Sequence, residues 1–288
     1  MTSASSLQAR RPRIHAWLRD PLCAVAVGIL GILVVAAVIA AVVPVAGDPD
    51  EIVGPRLSPP SPQWPLGTDA LGRSMLARVL EGIGTTLLLS LLAGAATAVV
   101  STLLGMAAGY GGGWLREAVV RLGDVLYAFP AIVLAVLVAA VVGPGQTAAI
   151  ASIVLVTVPL MTRMITAAAA SVAGRDFVVT ARISGVPTPV ILGRHILSNI
   201  AGTIAVQGTY ALSVGILVEG GMSFLGYGVQ PPRTSLGSLI QQGGAFMVHA
   251  PWLLLTPAIA LVLAILSINL IGDTLRDRLE PRETRSLR

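Results

Sequence analysis

The sequence contains no lysine and only one cysteine, and charged residues make up only 11% of its 288 positions. Without lysine the chain cannot contain a GxxxxGK[ST] loop, which excludes that way of binding nucleotide phosphates. The single cysteine, Cys23, excludes an internal disulfide and a CxxC motif. Soluble domains carry roughly 25% charged residues. The low charge, with 55% hydrophobic residues and a mean hydropathy of +0.83, therefore predicts an integral membrane protein.

All 19 basic residues are arginine, and the net charge is +5. In a soluble protein this balance would suggest a nucleic-acid partner, but here the arginines cluster at the ends of apolar runs. We interpret them as signals of membrane topology and expect no nucleic-acid partner. The three histidines, His15, His195 and His249, lie on separate segments. No shared metal site is expected from them.

Six apolar runs are long enough to predict transmembrane helices. The first follows a polar, arginine-bearing segment (1–21) and is too long for the core of a cleavable signal. Pro130 breaks the third run, and Pro159 is expected to kink the fourth. The predicted spans are 22–46, 85–110, 125–142, 147–170, 200–222 and 252–275.

The segments between the spans have their own patterns. Residues 47–84 are proline-rich and end in an amphipathic stretch, which predicts an interfacial helix capped by Thr68 or Asp69. Residues 116–124 are interpreted as a short charged turn, and 223–251 as a Gly/Pro-rich external segment. Residues 85–275 then form a five-helix core, and 276–288 a basic tail.

The distribution of arginine predicts which segments face the cytoplasm. With six spans and both termini inside, 15 arginines fall on cytoplasmic segments and 4 on external ones. Because positive charge concentrates on the cytoplasmic side, this count predicts an N-in, C-in topology. It places the segments 1–21, 174–199 and 276–288 inside the cell, and 47–84 and 223–251 outside.

A polar element, 174–199, separates the fourth span from the fifth and carries several sequence signals of helix ends. Phe177, Val178 and Ala181 share the apolar face of a short helix that Gly185 ends. Thr188 is expected to cap a second helix with Pro189 at its first position. The pattern predicts a helix, a turn and a helix on the cytoplasmic surface, available to a partner.

Polar groups inside the spans are candidates for lining a solute path. Glu219 is predicted either to line that path or to hold the external segment that follows it, and the sequence leaves both open. Asp124 and Asp273 are interpreted as helix-end structure. The other candidates on the fifth span are Gln207, Thr209, Tyr210 and Ser213. A Tyr or Ser within a span is commonly packed or bonded to its own backbone.

From Trp64 onward the chain resembles a known family in several separated stretches. They are WPLGTDALGRSMLARV, GYGGGWLREAVVRLGDVLYAFPAIVLA, GPG at 143–145, GRHILSN, SFLGYGVQPP at 223–232, APWLLLTPAIAL and NLIGDTLRDRLEPR. These resemble the dipeptide/oligopeptide-type permease subunits of bacterial ATP-binding-cassette (ABC) importers, the "C" permease of the peptide and nickel group. The resemblance implies an all-α, six-span protein with the type I ABC importer permease fold.

In that family the element between the fourth and fifth spans carries a motif of the form E-A-A-x3-G-x9-I-x-L-P that docks into a cytoplasmic ATPase. Aligned on Gly185, Val179 stands where the family has Glu, and Ser198 stands where it has Pro. Loss of the acidic residue removes a charge-assisted contact, so docking is expected to rest on shape and on neighbouring charges. The resemblance therefore implies that eight residues contact the ATPase and couple it to transport. They are Arg175, Asp176, Phe177, Val179, Thr180, Ala181, Arg182 and Gly185.

The resemblance also implies partners and a location. The partners are a homologous second permease, two ATP-binding subunits or one fused ATPase, and an extracytoplasmic substrate-binding protein. ATP and Mg²⁺ would be bound by the ATPase subunits, so no cofactor and no catalytic residue is expected on this chain. The implied solute is a short peptide, and the implied location is the bacterial inner membrane.

Other functions remain open from the sequence. The same assembly could import nickel, haem, an opine or another small solute. A channel or secondary carrier that works without an ATPase is a different class, but no inverted repeat is evident and the element 174–199 has no obvious use there. A membrane enzyme would need a convergent set of His, Glu or Cys residues, which the sequence does not show.

Overall fold

Helices account for most of residues 20–43 and 47–279, the part of the chain that this computed structural model describes. Apart from two isolated β-bridges, these residues form no β structure. In chain order the helices are α1 (Pro21–Val42), α2 (Met75–Gly111), α3 (Gly113–Tyr127), α4 (Ala131–Val142), α5 (Gln146–Ala173), α6 (Asp176–Ile183), α7 (Thr188–Val190), a π-helical turn (Ile191–Ile196), α8 (Leu197–Phe224), α9 (Leu236–Gly244) and α10 (Trp252–Leu279).

Five of these helical stretches are long and apolar enough to cross a membrane: α1, α2, α5, the stretch Thr188–Phe224, and α10. The sixth candidate is the pair α3 and α4, which is bent by 93° at a short break. Pro130 explains the break, because it caps α4 and cannot continue the preceding helix. The expectation of an all-α, six-span protein is confirmed if this bent pair counts as one span. The structure does not show on which side the termini lie.

Two expectations between the first and third spans are wrong. The interfacial helix predicted from Thr68 or Asp69 does not exist as a separate element, because α2 begins at Met75, with Ser74 as its cap, and continues to Gly111. At 37 residues α2 is about 55 Å long, more than hydrocarbon of about 30 Å requires. The predicted charged turn at 116–124 is instead part of α3.

Other boundaries shift by smaller amounts. α1 ends at Val42, and 44–46 lie outside the described residues, as do most of the predicted segments 1–21 and 276–288. α10 continues to Leu279, so the predicted tail begins as helix. The segment 223–251 contains a helix, α9, that was not predicted. The predicted second helix of 174–199 is capped at Pro187 rather than Thr188, and it continues through the π-helical turn into α8.

Close contact between α2 and α5 organises the centre of the bundle. A Cβ atom added to Gly109 would lie 2.7 Å from the Cβ of Ala169, and one added to Gly105 would lie 2.6 Å from Ile165. Small residues at these positions permit close packing in lipid, where apolar side chains alone provide no drive for association. α8 packs against both helices, and α10 packs against α8, α9 and α1.

Candidate functional site

The helix α6 lies between the end of α5 and the start of the stretch that leads into α8. Asp176 stands in its first turn and Arg182 in its last, where each charge is favourable to the helix dipole. The helix ends in a Schellman motif: the N–H of Val186 donates to the carbonyl of Ala181 at 3.0 Å, and the N–H of Gly185 donates to Arg182 at 3.1 Å. Gly185 has φ +78°, which favours glycine, so the predicted turn at this residue is confirmed.

The buried side chain of Val178 packs α6 against the rest of the molecule. Val178 is fully buried and is the one residue of α6 in the core. Its cluster includes Ile191 and Ile196 of the π-helical turn, and Ile165 of α5. Phe177, which was predicted to lie on the apolar face with Val178 and to contact the ATPase, is 41% exposed. Its ring lies 6.1 Å from that of His195.

Arg182 is also directed toward the bundle. Its guanidinium carbon lies 4.6 Å from the centre of the Tyr110 ring at the end of α2, a favourable cation–π arrangement. Arg182 was predicted to contact an ATPase, and the structure places its charge over this ring. The contact joins α6 to a third helix, so α2, α5 and the π-helical turn all hold it.

The opposite side of α6 is exposed. Asp176, Val179, Thr180 and Ile183 follow one another at helical spacing and are all exposed, and we call these four residues the coupling surface. Ile183 is 82% exposed. It was not among the predicted contact residues, although its position seven residues after Asp176 would have placed it on this face. Ile183 and Val179, both exposed, make this surface apolar, and Asp176 makes one end of it acidic.

A cavity of about 270 Å³ lies where α3 breaks from α4, against α5 and α8. Of the predicted path residues, Gln207 and Tyr210 line it. Thr157 of α5 also lines it, but its hydroxyl is already bonded to Ile153 and Thr97. Among the described residues the lining carries no formal charge. The cavity can therefore offer amide and hydroxyl groups on an otherwise apolar wall. It sits beside the bent span and between α5 and α8.

Two other predicted path residues lie elsewhere. Ser213 is buried and does not line the cavity. Glu219 is fully buried, and its carboxylate accepts hydrogen bonds from Thr86 at 2.9 Å and from Ser223 at 2.6 Å. The hydroxyl of Ser223 in turn accepts from the N–H of Val229, and that of Thr86 from the N–H of Leu236. Of the two roles left open for Glu219, this geometry matches the one that holds the segment after α8.

A second polar network at the same end of the bundle was not predicted. Asp69 accepts hydrogen bonds from Arg73 Nε at 2.8 Å and from Arg78 Nη1 at 2.7 Å. Arg78 is 3% exposed, and it also donates to Gln242 of α9 at 3.1 Å. Part of this network had a sequence signal, since Asp69 and Arg73 stand at i and i+4 in the stretch TDALGR. We call these four residues the Asp69 network.

The backbone also contributes to the Asp69 network. The N–H groups of Leu71 and Arg73 donate to the same carboxylate at 2.8 and 2.9 Å. Burial by itself would raise the pKa of Asp69, but the hydrogen bonds and charge of Arg73 and the N–H of Leu71 lower the pKa below its ordinary value of 3.8. Asp69 is therefore ionised at neutral pH and holds two guanidinium groups in place.

Sequence comparisons agree with this architecture. The family described as "Binding-protein-dependent transport system inner membrane component" matches residues 101–285. A dipeptide transport system permease protein of Alkalihalophilus pseudofirmus is 33% identical over 79% of this chain and 75% of its own length. A glutathione transport system permease protein of Pectobacterium atrosepticum is 33% identical over 78% of this chain and 74% of its own length.

A solved structure has a similar fold. A chain of the methionine ABC transporter MetNI, determined in inward-facing conformations, superimposes with a TM-score of 0.59 at 19% identity. The match covers 71% of this chain and 97% of that one. At this identity the similarity supports the fold, a type I ABC importer permease, and no more. Together with the helices long enough to span a membrane, these matches show that the chain belongs to the family of binding-protein-dependent transport system inner membrane components.

Proposed function

We propose that this chain forms half of the translocation pathway for short peptides in an ABC importer of the bacterial inner membrane. Its partners would be a homologous second permease, two ATP-binding subunits or one fused ATPase, and an extracytoplasmic substrate-binding protein. ATP and Mg²⁺ would be bound and used by the ATPase subunits, with this chain as a non-catalytic transport subunit. Family membership supports this arrangement.

The observation that carries the proposal is the contrast between the two sides of α6. Its outer side, the coupling surface, leaves Val179 and Ile183 exposed side by side, at 41% and 82%, which gives a partner apolar area to bury. Its inner side is fixed to the bundle by Val178 and Arg182. A partner that covers the coupling surface would therefore gain apolar burial and hold a helix that cannot move independently of the bundle.

Movement of α6 would reach the solute cavity through two helices. α6 follows α5 after a short link and is packed on the π-helical turn that continues into α8. Thr157 on α5 and Gln207 and Tyr210 on α8 line the cavity. Closure of the ATPase subunits would shift α6, and the resulting tilt of α5 and α8 would open or close the space between them.

The chemistry of the cavity supports peptides as the solute. A peptide presents backbone amides, which the amide of Gln207 and the hydroxyl group of Tyr210 can hydrogen-bond. An uncharged wall does not discriminate strongly between side chains of opposite sign. The names of two relatives, a dipeptide permease and a glutathione permease, both denote short peptides and support the same class of solute.

The experiment that tests the proposal is Ile183→Asp in the assembled transporter. Because the side chain is exposed, the substitution should leave the fold intact. It should reduce both co-purification with the ATP-binding subunits and ATP-dependent uptake of labelled di- and tripeptides by at least about tenfold, since a charge replaces a buried apolar contact. Val248→Asp is the matched control, since Val248 is 83% exposed at the opposite end of the bundle. It should not change ATPase association.

Two outcomes would contradict the proposal. If Ile183→Asp retained full ATPase association, the coupling surface would not be the docking site. If the reconstituted chain moved solute without any ATPase, the importer mechanism would be rejected in favour of a channel or carrier. Failure to take up peptides, with ATPase association intact, would instead reject the solute and leave the coupling mechanism standing.

A further inference from the structure

A groove of about 570 Å³ lies between α1 and α2 at the end of the bundle that carries α9. α1 supplies Val38 and Ala41 to its walls, and α2 supplies Leu80 and Leu88. The two helices approach closely beside it, where a Cβ atom on Gly84 would lie 3.6 Å from that of Ala37. The side chains of Val38 and Leu88 are more than half exposed, so the groove opens toward the surroundings of the bundle.

One end of this groove carries charged groups of both signs. Glu81 is half-buried, and its carboxylate lies beside the backbone of Thr234. Arg233 is exposed, and Gln146 completes this polar end. No ion pair within 4.0 Å joins Glu81 to Arg233 in the described part of the chain. The charge of Arg233 acts on Glu81, but among the described residues no direct ion pair occupies either group.

We propose that this groove binds a zwitterionic phospholipid that carries a primary ammonium, with an acyl chain between α1 and α2, the phosphate at Arg233 and the ammonium at Glu81. A lipid with only an anionic headgroup would satisfy Arg233 and be repelled by Glu81. A headgroup with both charges matches both residues. The apolar walls match hydrocarbon and offer little to a soluble ligand.

The position along the bundle supports a lipid. Trp64 and Trp252 lie at the same end, and tryptophan is enriched where a membrane meets water. A headgroup at this level would leave its acyl chains directed along α1 and α2. α1 buries few of its residues inside the molecule. A lipid seated in the groove would thus add contact to the helix that has the least of it.

The test is native mass spectrometry of the full chain purified in mild detergent. The chain is mixed with phosphatidylethanolamine or phosphatidylglycerol of identical acyl chains, and the fraction of protein that retains each lipid is measured. We expect about fivefold greater retention of phosphatidylethanolamine, the effect of one favourable charge contact. Glu81→Gln should abolish this preference, because glutamine keeps the size of the side chain but carries no charge.

Two further variants test the acyl chain and the phosphate separately. Ala41→Trp should fill the groove and reduce retention of both lipids about fivefold or more. Ile39→Trp is its matched control, since Ile39 is an exposed residue of the same helix outside the groove. Arg233→Gln should reduce retention of both lipids about fivefold, whereas Arg56→Gln, at an exposed arginine outside the groove, should not.

Equal retention of the two lipids by the unmodified chain would overturn the proposal, because Glu81 would then not recognise the ammonium of the headgroup. Equal effects of Ala41→Trp and Ile39→Trp would overturn it as well, since the acyl chain would not lie in the groove. If Ala41→Trp disturbed folding, the charge variants Glu81→Gln and Arg233→Gln would still decide the question.

Discussion

The two ends of the bundle are held together by different chemistry. At the α9 end, buried polar groups connect distant parts of the chain: the Asp69 network joins the loop before α2 to α9, and Glu219 joins α8 to α2. At the α6 end, Val178 and a cation–π contact hold one short helix, whose other side is exposed. The α9 end thus pairs most of its buried polar groups within the chain, with Arg78 Nε left unpaired, whereas the α6 end leaves apolar surface exposed.

The largest effect should come from breaking the Asp69 network. Asp69→Ala leaves the guanidinium of Arg78, which is 3% exposed, without its anionic partner. Removing one member of a buried ion pair costs about 3 to 5 kcal/mol. Chemical denaturation of the purified chain, followed by tryptophan fluorescence, measures the loss.

Asp50→Ala is the matched control for this prediction. Asp50 lies 3.4 Å from the guanidinium of Arg73, but its side chain is 46% exposed. A surface pair of this kind contributes about 0 to 1 kcal/mol. Equal destabilisation by Asp69→Ala and Asp50→Ala would mean that burial does not distinguish the two carboxylates.

The second effect in size concerns the anchor of α6. Val178→Ala removes two methyl groups from a fully buried position and should cost about 2 kcal/mol. Hydrogen exchange should rise in 176–186 and stay unchanged in α9. Val179→Ala, on the exposed side, should leave exchange in both segments as it was. Faster exchange at α9 in the Val178 variant would show that the two ends are not independent.

The third effect tests the turn after α6. Gly185→Ala places a side chain at φ +78°, where nothing lies within 4 Å, so the cost is backbone strain alone, about 1 kcal/mol. Gly174→Ala, with φ −82°, requires no such strain and is the control. Chemical denaturation should separate the two variants. If they were equally stable, the left-handed turn would not be a constraint.

The smallest effect near neutral pH concerns the ionisation of Asp69, because this carboxylate becomes protonated only in acid. Folding lowers the pKa of Asp69, so its ionised form stabilises the folded chain at pH values above its ordinary pKa of 3.8. This stabilisation is lost as the pH falls through the lowered pKa. Fluorescence of Trp252, whose indole N–H donates to Thr68 at 3.4 Å, should report the loss below about pH 4. Asp69→Asn should remove this acid transition. A transition that persisted in that variant would have another origin.

Hydropathy and local signals predicted much of this fold, because they depend on neighbours in sequence. Apolar runs identified the spans, and Gly185 identified the end of α6. The high density of charged residues at 116–124 led to the wrong prediction of a turn, because these residues belong to the helix α3. The start of α2 was misplaced because Ser74 caps the helix, and Thr68 pairs with it in a β-bridge.

The long-range polar contacts could not be predicted because they join residues far apart in the chain. Arg78 meets Gln242 across 164 positions, and Thr86 meets Glu219 across 133. No local pattern shows that Glu219 bonds to Thr86 and Ser223, away from the cavity. Gln207 and Tyr210 were among the path candidates, and the structure places them on the cavity wall. Their role in solute passage stays a prediction.

The central claim is that an ATPase covers the coupling surface from the cytoplasm, and cysteine labelling tests it most directly. Cys23 is buried, so Ile183→Cys and Val248→Cys, each in a Cys23→Ala background, would carry one accessible thiol within the described residues. The account predicts that Ile183→Cys crosslinks to an ATP-binding subunit and reacts with a membrane-impermeant thiol reagent only from inside, whereas Val248→Cys reacts only from outside. Labelling of Ile183→Cys from outside the cell, or its failure to crosslink in the assembled transporter, would contradict the account.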